Sequence, residues 1–155
     1  MLLLAACGAA GEPENAAAAD MRIAPGLWER TGAVIDARGE NLPIEAKRRL
    51  IGPRPSARFC VTPGEAARPG PGFVAGGNCA WRALSLENGR LRGIMACRDE
   101  IGPSEAAVDG AYGPQSYDLR IEIVNRLPGD AVLTLDVRTR GRRIGECPQE
   151  GEGKQ

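Results

Sequence analysis

Five cysteines are the residues of this 155-residue chain whose side chains could do the most distinctive chemistry, and they lie at positions 7, 60, 79, 97 and 147. The chain contains no histidine. Histidine is the most common general base and metal ligand, and it is the usual partner that activates a serine or cysteine nucleophile. Its absence argues against most hydrolase mechanisms and directs attention to acylation and disulfide formation as the chemistry of the thiols.

The first cysteine lies at the end of a short apolar segment. Leu4-Ala5-Ala6-Cys7, followed by Gly8, resembles the lipobox of bacterial lipoproteins, in which the cysteine thiol is acylated and the preceding segment is removed. The resemblance implies a membrane anchor at Cys7, and two or more acyl chains attach a protein stably where one chain does not. Residues 1–6 are too short for a complete signal segment, so we expect the true start of translation to lie upstream of Met1.

The stretch after Cys7 is rich in alanine and polar residues. It cannot bury enough apolar area to offset chain entropy, so we expect residues 7–20 to be a lipid-anchored flexible tether. Residues 21–148 are then a single domain and residues 149–155 a disordered tail. The 20 basic and 20 acidic residues balance, so no nucleic-acid partner is expected.

The four remaining cysteines form an even set, which in an exported chain favours two disulfides with three possible connectivities. A zinc site is the alternative, but such sites usually contain a C-x-x-C pair and the gaps here are wide. We therefore expect neither a metal nor another cofactor.

A hairpin signal favours one of the three connectivities. Residues 87–89, with the sequence Glu-Asn-Gly, lie between two runs of strand character. A three-residue loop places Cys79 directly opposite Cys97, whereas a two-residue turn would send these side chains to opposite faces. The three-residue loop and the Cys79–Cys97 bridge are therefore predicted, which leaves Cys60–Cys147 as the second bridge.

The apolar pattern predicts mainly strands. A first strand is expected at Trp28–Ala37, and a short helix at Pro63–Ala67, because the preceding threonine begins a capping box. Residues 44–50 are compatible with a helix or a strand, and the prolines at 53 and 55 are expected to end that segment. Strand character resumes at residues 59–61. Residues 68–78 are expected to form a loop. Apolar residues alternate with polar ones over the last third, which indicates antiparallel strands with one buried face. These residues are Tyr117, Leu119, Ile121, Ile123, Leu133, Leu135 and Val137.

Charges predict the register of the last two strands. One register places Asp118 opposite Arg138 and Arg120 opposite Asp136, whereas the next places Arg120 opposite Arg138 and Glu122 opposite Asp136. Opposite charges across a strand pair are favourable and like charges are not, so the first register is predicted. It favours a structural role for the arginine stripe, with at least one of its members on a paired, solvated face, over an anion or nucleic-acid site. That stripe consists of Arg138, Arg140, Arg142 and Arg143.

Several motifs occur in a specific order along the chain. PGLWE, CVTPGEA before a glycine-rich loop, a cysteine pair flanking a hairpin, GAYGPQSYD and a closing GRRIGEC together resemble the bacterial family catalogued as domain of unknown function 3617. The likeness covers about residues 23–148. It implies a small exported or lipid-anchored envelope protein of mostly β structure with four cysteines, and it offers no catalytic residues to transfer. Trp28 and Trp81 lie in the matching segments and are expected to be core or interface aromatics.

These observations predict a mainly β fold: an antiparallel meander sheet of seven or eight strands, curled as a half-barrel or open barrel, with one short helix and two disulfides. The concave apolar face of such a sheet is a common small-molecule site. We therefore expect a non-catalytic envelope lipoprotein that faces the periplasm, is anchored in the outer membrane through Cys7, and binds a small hydrophobic ligand.

Two other functions remain as alternatives. A protein-binding envelope factor or inhibitor would use the loop Arg68–Asn78 and the segment Arg98–Glu105, because rigidly presented loops suit that task. A glycan-active hydrolase is least favoured. It needs two carboxylates at a set separation, and Asp99, Glu100 and Glu105 lie in a turn-like segment where solvated acids are expected.

Overall fold

Alternating apolar residues build a single antiparallel sheet of seven strands in the computed structural model, which describes residues 21–149. The elements in chain order are β1 (Gly26–Gly39), α1 (Ile44–Leu50), β2 (Gly52–Val61), α2 (Pro63–Ala67), a 3-10 turn (Pro71–Phe73), β3 (Asn78–Glu87), β4 (Arg90–Arg98), β5 (Pro103–Tyr112), β6 (Ser116–Arg126) and β7 (Val132–Gly145). The predicted signal segment, the anchor at Cys7, the tether and nearly all of the tail lie outside the described residues. Among residues 21–149, no helix has the length and apolar composition needed to span a bilayer.

The strand order is β2-β1-β7-β6-β5-β4-β3, and every neighbouring pair is antiparallel. Strands β3 to β7 form a meander, whereas β1 adds beside β7 and β2 adds beside β1. Strands β2 and β3 are thus the two edges, and the sheet does not close. The predicted fold class is confirmed, with a hairpin from the first part of the domain completing the sheet beside its last strand.

The connection between the two edge strands, residues 62–77, crosses the concave face of the sheet and is called the crossing segment below. It begins at α2, where Thr62 Oγ1 accepts a hydrogen bond from the Glu65 amide and the Glu65 carboxylate accepts one from the Thr62 amide. This capping box confirms the helix that the sequence predicts. The crossing segment then buries Phe73 and Val74 against the sheet.

The larger core cluster lies under this crossing segment. Trp28 is fully buried, stacks on Tyr117 with ring centroids 6.0 Å apart, and meets Phe73 edge-on at 5.2 Å. The Tyr117 hydroxyl donates to the Phe73 carbonyl. Gly141 lies beneath the tyrosine ring, where a Cβ would come within 2.1 Å of a ring carbon. Trp81, half-buried, donates from Nε1 to the Pro69 carbonyl at 3.0 Å, so both tryptophans pack as the sequence predicts.

A second cluster lies at the other end of the concave face. Val34 and Ala37 of β1 pack there with Leu133 and Leu135 of β7, and Leu50 of α1 lies against them. Residues 44–50, for which the sequence allowed either a helix or a strand, therefore form a helix. Its last turn carries Lys47, Arg48 and Arg49, and cations at that end interact favourably with the helix dipole.

Both predicted disulfides are present. Cys79–Cys97 joins β3 to β4, with Cα atoms 4.0 Å apart, and Cys60–Cys147 joins the end of β2 to the residues after β7, with Cα atoms 5.6 Å apart. Because β1 lies between β2 and β7, the second bridge ties an edge strand across its neighbour.

The predicted three-residue loop between β3 and β4 is wrong. Asn88 and Gly89 alone connect the strands, both with positive φ (50° and 74°), as in the type I′ turns that suit two-residue hairpins. Such a turn would place the two cysteines on opposite faces if both strands were regular. A β-bulge at Arg82 inserts one extra residue into β3 and brings Cys79 opposite Cys97 again.

The predicted register of β6 and β7 is also wrong. Arg120 faces Arg138 and Glu122 faces Asp136, which is the register that the charge argument rejected. Arg138 donates diagonally to Asp118, at 2.9 and 2.6 Å. On the other side of β7, Arg38 of β1 bridges both acids of the like-charged pair. The diagonal contact and the arginine from a third strand thus compensate the repulsion between like charges that the pairing of β6 with β7 alone would predict.

The prolines at positions 53 and 55 do not end a segment before β2. They lie within β2, which begins at Gly52 rather than at residue 59. An edge strand tolerates proline because the missing N–H can be on the side that faces no neighbour. This longer β2 carries Arg54 alongside β1, where it pairs with Gly32.

Candidate functional site

A cavity of about 530 Å³ lies on the concave face between the two core clusters. Its floor is apolar and comes from β6 and β7, because every second residue of these strands faces inward. The floor consists of Ile121, Ile123, Leu133, Leu135 and Val137. Residues 74–76 of the crossing segment form one side, and Leu50 of α1 borders the opposite end. The arrangement is a concave site for a compound with a substantial apolar part.

Two polar side chains replace apolar residues at inward-facing positions of the floor strands. Thr139 and Asn125 are each only 3% exposed. Thr139 Oγ1 donates to the Thr31 carbonyl at 3.2 Å. The Asn125 side chain forms no hydrogen bond with another described residue, yet no fully buried side-chain nitrogen or oxygen in residues 21–149 lacks a partner. The Asn125 amide therefore keeps its small exposure towards the cavity that it lines.

Three charged side chains border the cavity: Arg30, Arg54 and Asp99. The Arg30 guanidinium donates to the Gly72 carbonyl and lies 5.5 Å from the Phe59 ring centroid. Asp99 Oδ1 accepts hydrogen bonds from the backbone N–H groups of residues 101 and 102, at 2.8 and 3.1 Å.

Arg54 is exposed and forms no ion pair with a residue in the described part of the chain. The border of the cavity thus has two cations, Arg30 and Arg54, and one anion, Asp99. The Asp99 carboxylate already accepts two backbone hydrogen bonds.

The four arginines of the predicted stripe are all paired, but only three of them lie on the outer face, because Arg143 is opposite the buried Trp28 on the inward face of the sheet. Arg138 and Arg140 contact Asp118, Arg142 contacts Glu29, and Arg143 contacts Glu146. A hollow of about 620 Å³ on the outer face is lined in part by these same ion pairs. The outer-face members Arg138, Arg140 and Arg142 therefore support the interpretation of a paired, solvated face, whereas Arg143 is mostly buried and lies on the other face.

These contacts change the titration of the acids involved. A hydrogen bond from Arg138 is the main reason that the pKa of Asp118 lies below its usual value, and one from Arg142 is the main reason for Glu29. On the concave side, burial raises the pKa of Tyr117. The hydroxyl of Tyr117 therefore stays protonated at neutral pH and continues to donate to the Phe73 carbonyl.

The carboxylates considered for glycan hydrolysis do not face one cavity. Asp99 borders the concave cavity, whereas Glu105 lies on the outer face of β5 in an ion pair with Arg82 at 2.8 Å. Glu100 is exposed. Within residues 21–149, no three acids, cysteines or histidines are grouped in a way that could hold a metal ion.

Comparison with known proteins identifies the family. A family model described as a protein of unknown function (DUF3617) matches residues 23–147. The chain belongs to the DUF3617 family. The match spans all seven strands, both disulfides and the cavity between the core clusters. No curated protein and no solved structure matches the chain, so the function of this DUF3617 protein has to be argued from its own residues.

The residues that border the cavity include several that sequence reasoning did not single out. Asn125 continues the alternation that runs through Ile121 and Ile123, and Thr139 continues the one in β7. The sequence signal that could have identified both residues is a polar side chain at a position where the alternation predicts an apolar one. The two segments expected to contact a protein partner both border the cavity, through residues 74–76 and through Asp99 with Ile101.

Proposed function

We propose that this DUF3617 protein is a non-catalytic, lipid-anchored envelope protein that binds a small apolar ligand on its concave face. The observation that carries the proposal is the apolar cavity of about 530 Å³ between two packed clusters. Ligand sites typically measure about 300–1,000 Å³ and are mainly apolar with a few placed polar groups. The lipobox-like segment and the two disulfides support a location outside the cytoplasm.

The packing around the cavity supports ligand binding. Protein interiors are normally close-packed, and both ends of the concave face are filled, one by Phe73 and the other by Leu50. Between them, Ile123 and Val137 keep part of their apolar surface exposed. A ligand would remove that surface from water, at roughly 25 cal/mol for each Å² of apolar area buried.

The polar groups around the cavity support a binding role rather than catalysis. Asn125 and Thr139 do not titrate in the physiological range and are not general acids or bases. Asp99, the acid at the border, already accepts two backbone hydrogen bonds from its own loop. These groups can orient a ligand, and they lack a paired base and nucleophile.

Probe binding tests the proposal. The full chain would carry Cys7→Ser, which removes the acylation site and the need for detergent, and would be titrated with N-phenyl-1-naphthylamine, an uncharged apolar fluorophore. Ile123→Trp fills the cavity, whereas Ile94→Trp places the same side chain on the outer face, where the isoleucine is 40% exposed. We expect saturable binding that weakens at least 10-fold with Ile123→Trp and stays unchanged with Ile94→Trp.

Thermal unfolding would first establish that both variants fold. Absence of probe binding to the parent chain would contradict the proposal, and so would equal binding to the two tryptophan variants. Loss with Ile94→Trp alone would place the probe on the outer face and would contradict it as well.

A further inference from the structure

The ends of the cavity differ in charge, and this difference defines a ligand class. We propose that the ligand is a single-chain amphiphile with a carboxylate that contacts Arg54 and a hydrogen-bonding group near its far end that contacts Asn125. This inference rests on the proposed function and specifies the chemistry of its ligand.

The positions of the two polar contacts follow from the sheet register. Arg54 pairs with Gly32, Gly32 with Thr139, and Thr139 with Leu119, so these four residues form one row across the sheet. Asn125 lies six residues further along β6 than Leu119, which corresponds to about 20 Å of strand. Both Arg54 and Asn125 border the same cavity. The cavity is therefore elongated, with a guanidinium at one end and an amide at the other.

The remaining charges fix the orientation of the ligand. Arg30 borders the cavity from β1, next to the strand that carries Arg54. Asp99 belongs to the loop of residues 99–102, and Gly102 of this loop lies beside the Arg126 carbonyl, one residue after Asn125. An anionic group is attracted to the end with the two arginines and repelled from the end with Asp99. A carboxylate at the arginine end also gains charge-assisted hydrogen bonds.

The far end favours an uncharged hydrogen-bonding group. The Asn125 amide reaches the cavity without a protein partner, and an apolar chain that covered it would leave its donors and acceptor unsatisfied. A hydroxyl group can donate to the amide oxygen and accept from the amide nitrogen. The apolar floor residues lie between the two ends and would contact the middle of the chain.

Displacement of N-phenyl-1-naphthylamine by three compounds of equal chain length tests the inference. These are dodecanoic acid, 1-dodecanol and 12-hydroxydodecanoic acid. We expect dodecanoic acid to bind at least 10-fold more tightly than the alcohol, with a preference that declines as salt screens the arginines. The hydroxy acid should bind more tightly than dodecanoic acid.

Matched variants separate the two contacts. Arg54→Gln should reduce the affinity for both acids about 10-fold and leave the affinity for the alcohol unchanged. Arg49→Gln, on the exposed side of α1, should leave the affinity for all three compounds unchanged. Asn125→Leu should abolish the advantage of the hydroxy acid over dodecanoic acid. Because Asn125 is buried, probe binding by Asn125→Leu serves as the check that its cavity is intact.

Two outcomes would overturn the inference. The first is equal affinity for dodecanoic acid and the alcohol that does not change with Arg54→Gln but is lost with Ile123→Trp. This result would exclude the charged contact and would not contradict the proposed function. An advantage of the hydroxy acid that survives Asn125→Leu would exclude the amide contact. Failure of all three compounds to displace the probe, together with probe binding that ignores Ile123→Trp, would remove the proposed function itself.

Discussion

Replacing both Cys60 and Cys147 by alanine is expected to lower the free energy of unfolding by about 4–5 kcal/mol. The bridge joins residues 87 positions apart, and the entropy lost by the unfolded chain grows with the logarithm of that separation. Domains of this kind have a total stability of about 5–15 kcal/mol, so the variant should unfold at a much lower urea concentration. Urea titration followed by circular dichroism measures the effect.

The shorter bridge provides the matched comparison. Cys79 and Cys97 are 18 positions apart, and their replacement by alanine should cost about 3 kcal/mol. The long bridge also holds edge strand β2, which pairs only with β1 and carries Arg54. We therefore expect its loss to weaken ligand binding as well, because one side of the cavity becomes mobile. A smaller loss of stability for the long bridge than for the short one would contradict this interpretation.

Trp28→Ala is the second substitution with a large expected effect, a loss of about 3–5 kcal/mol in the free energy of unfolding. The side chain is fully buried, stacks on Tyr117 and meets the edge of Phe73. Its Nε1 donates to the Ala24 carbonyl at 3.0 Å. Alanine would leave a cavity where β1, β6 and the crossing segment meet, which is the place where the crossing segment is fixed to the sheet.

Trp81→Ala is the control for that prediction. Trp81 has the same chemistry and a similar hydrogen bond, to the Pro69 carbonyl, but it keeps part of its surface exposed. Its loss should therefore cost clearly less in the same urea titration. If Trp81→Ala were the more destabilising of the two, the crossing segment would be held mainly at β3 and the central role given to Trp28 would be wrong.

Both disulfides are predicted correctly from the sequence. The three-residue loop between β3 and β4, on which the prediction of Cys79–Cys97 was based, is not. A two-residue turn and a bulge at Arg82 bring Cys79 opposite Cys97 just as a three-residue loop would. Counting along two strands cannot distinguish these solutions, because a bulge leaves no clear signature in a single sequence. The predicted β6–β7 register is wrong for a related reason. Arg38, which pairs with both Glu122 and Asp136, comes from a strand 84 and 98 residues earlier in the chain than these acids.

The candidate site is only partly visible in the sequence. Ile121, Ile123 and Asn125 show in their spacing that a polar residue faces the apolar side of a strand. Arg54 could not be placed, because its position depends on β2 pairing beside β1 at the far edge of the sheet. The cavity itself arises from the path of the crossing segment, which fills one end of the concave face and leaves the middle open, and local patterns do not encode that path.

Extraction of the full chain from the envelopes of cells that express it tests the central claim most directly. The full chain would be purified from these envelopes in mild detergent, washed and unfolded. Its organic extract would be analysed by mass spectrometry beside an extract of the Ile123→Trp variant. The proposed function predicts one reproducible compound with a substantial apolar part, close to one molecule per protein, that is absent from the variant. An extract with nothing above background, or the same compound in equal amount from both proteins, would contradict it.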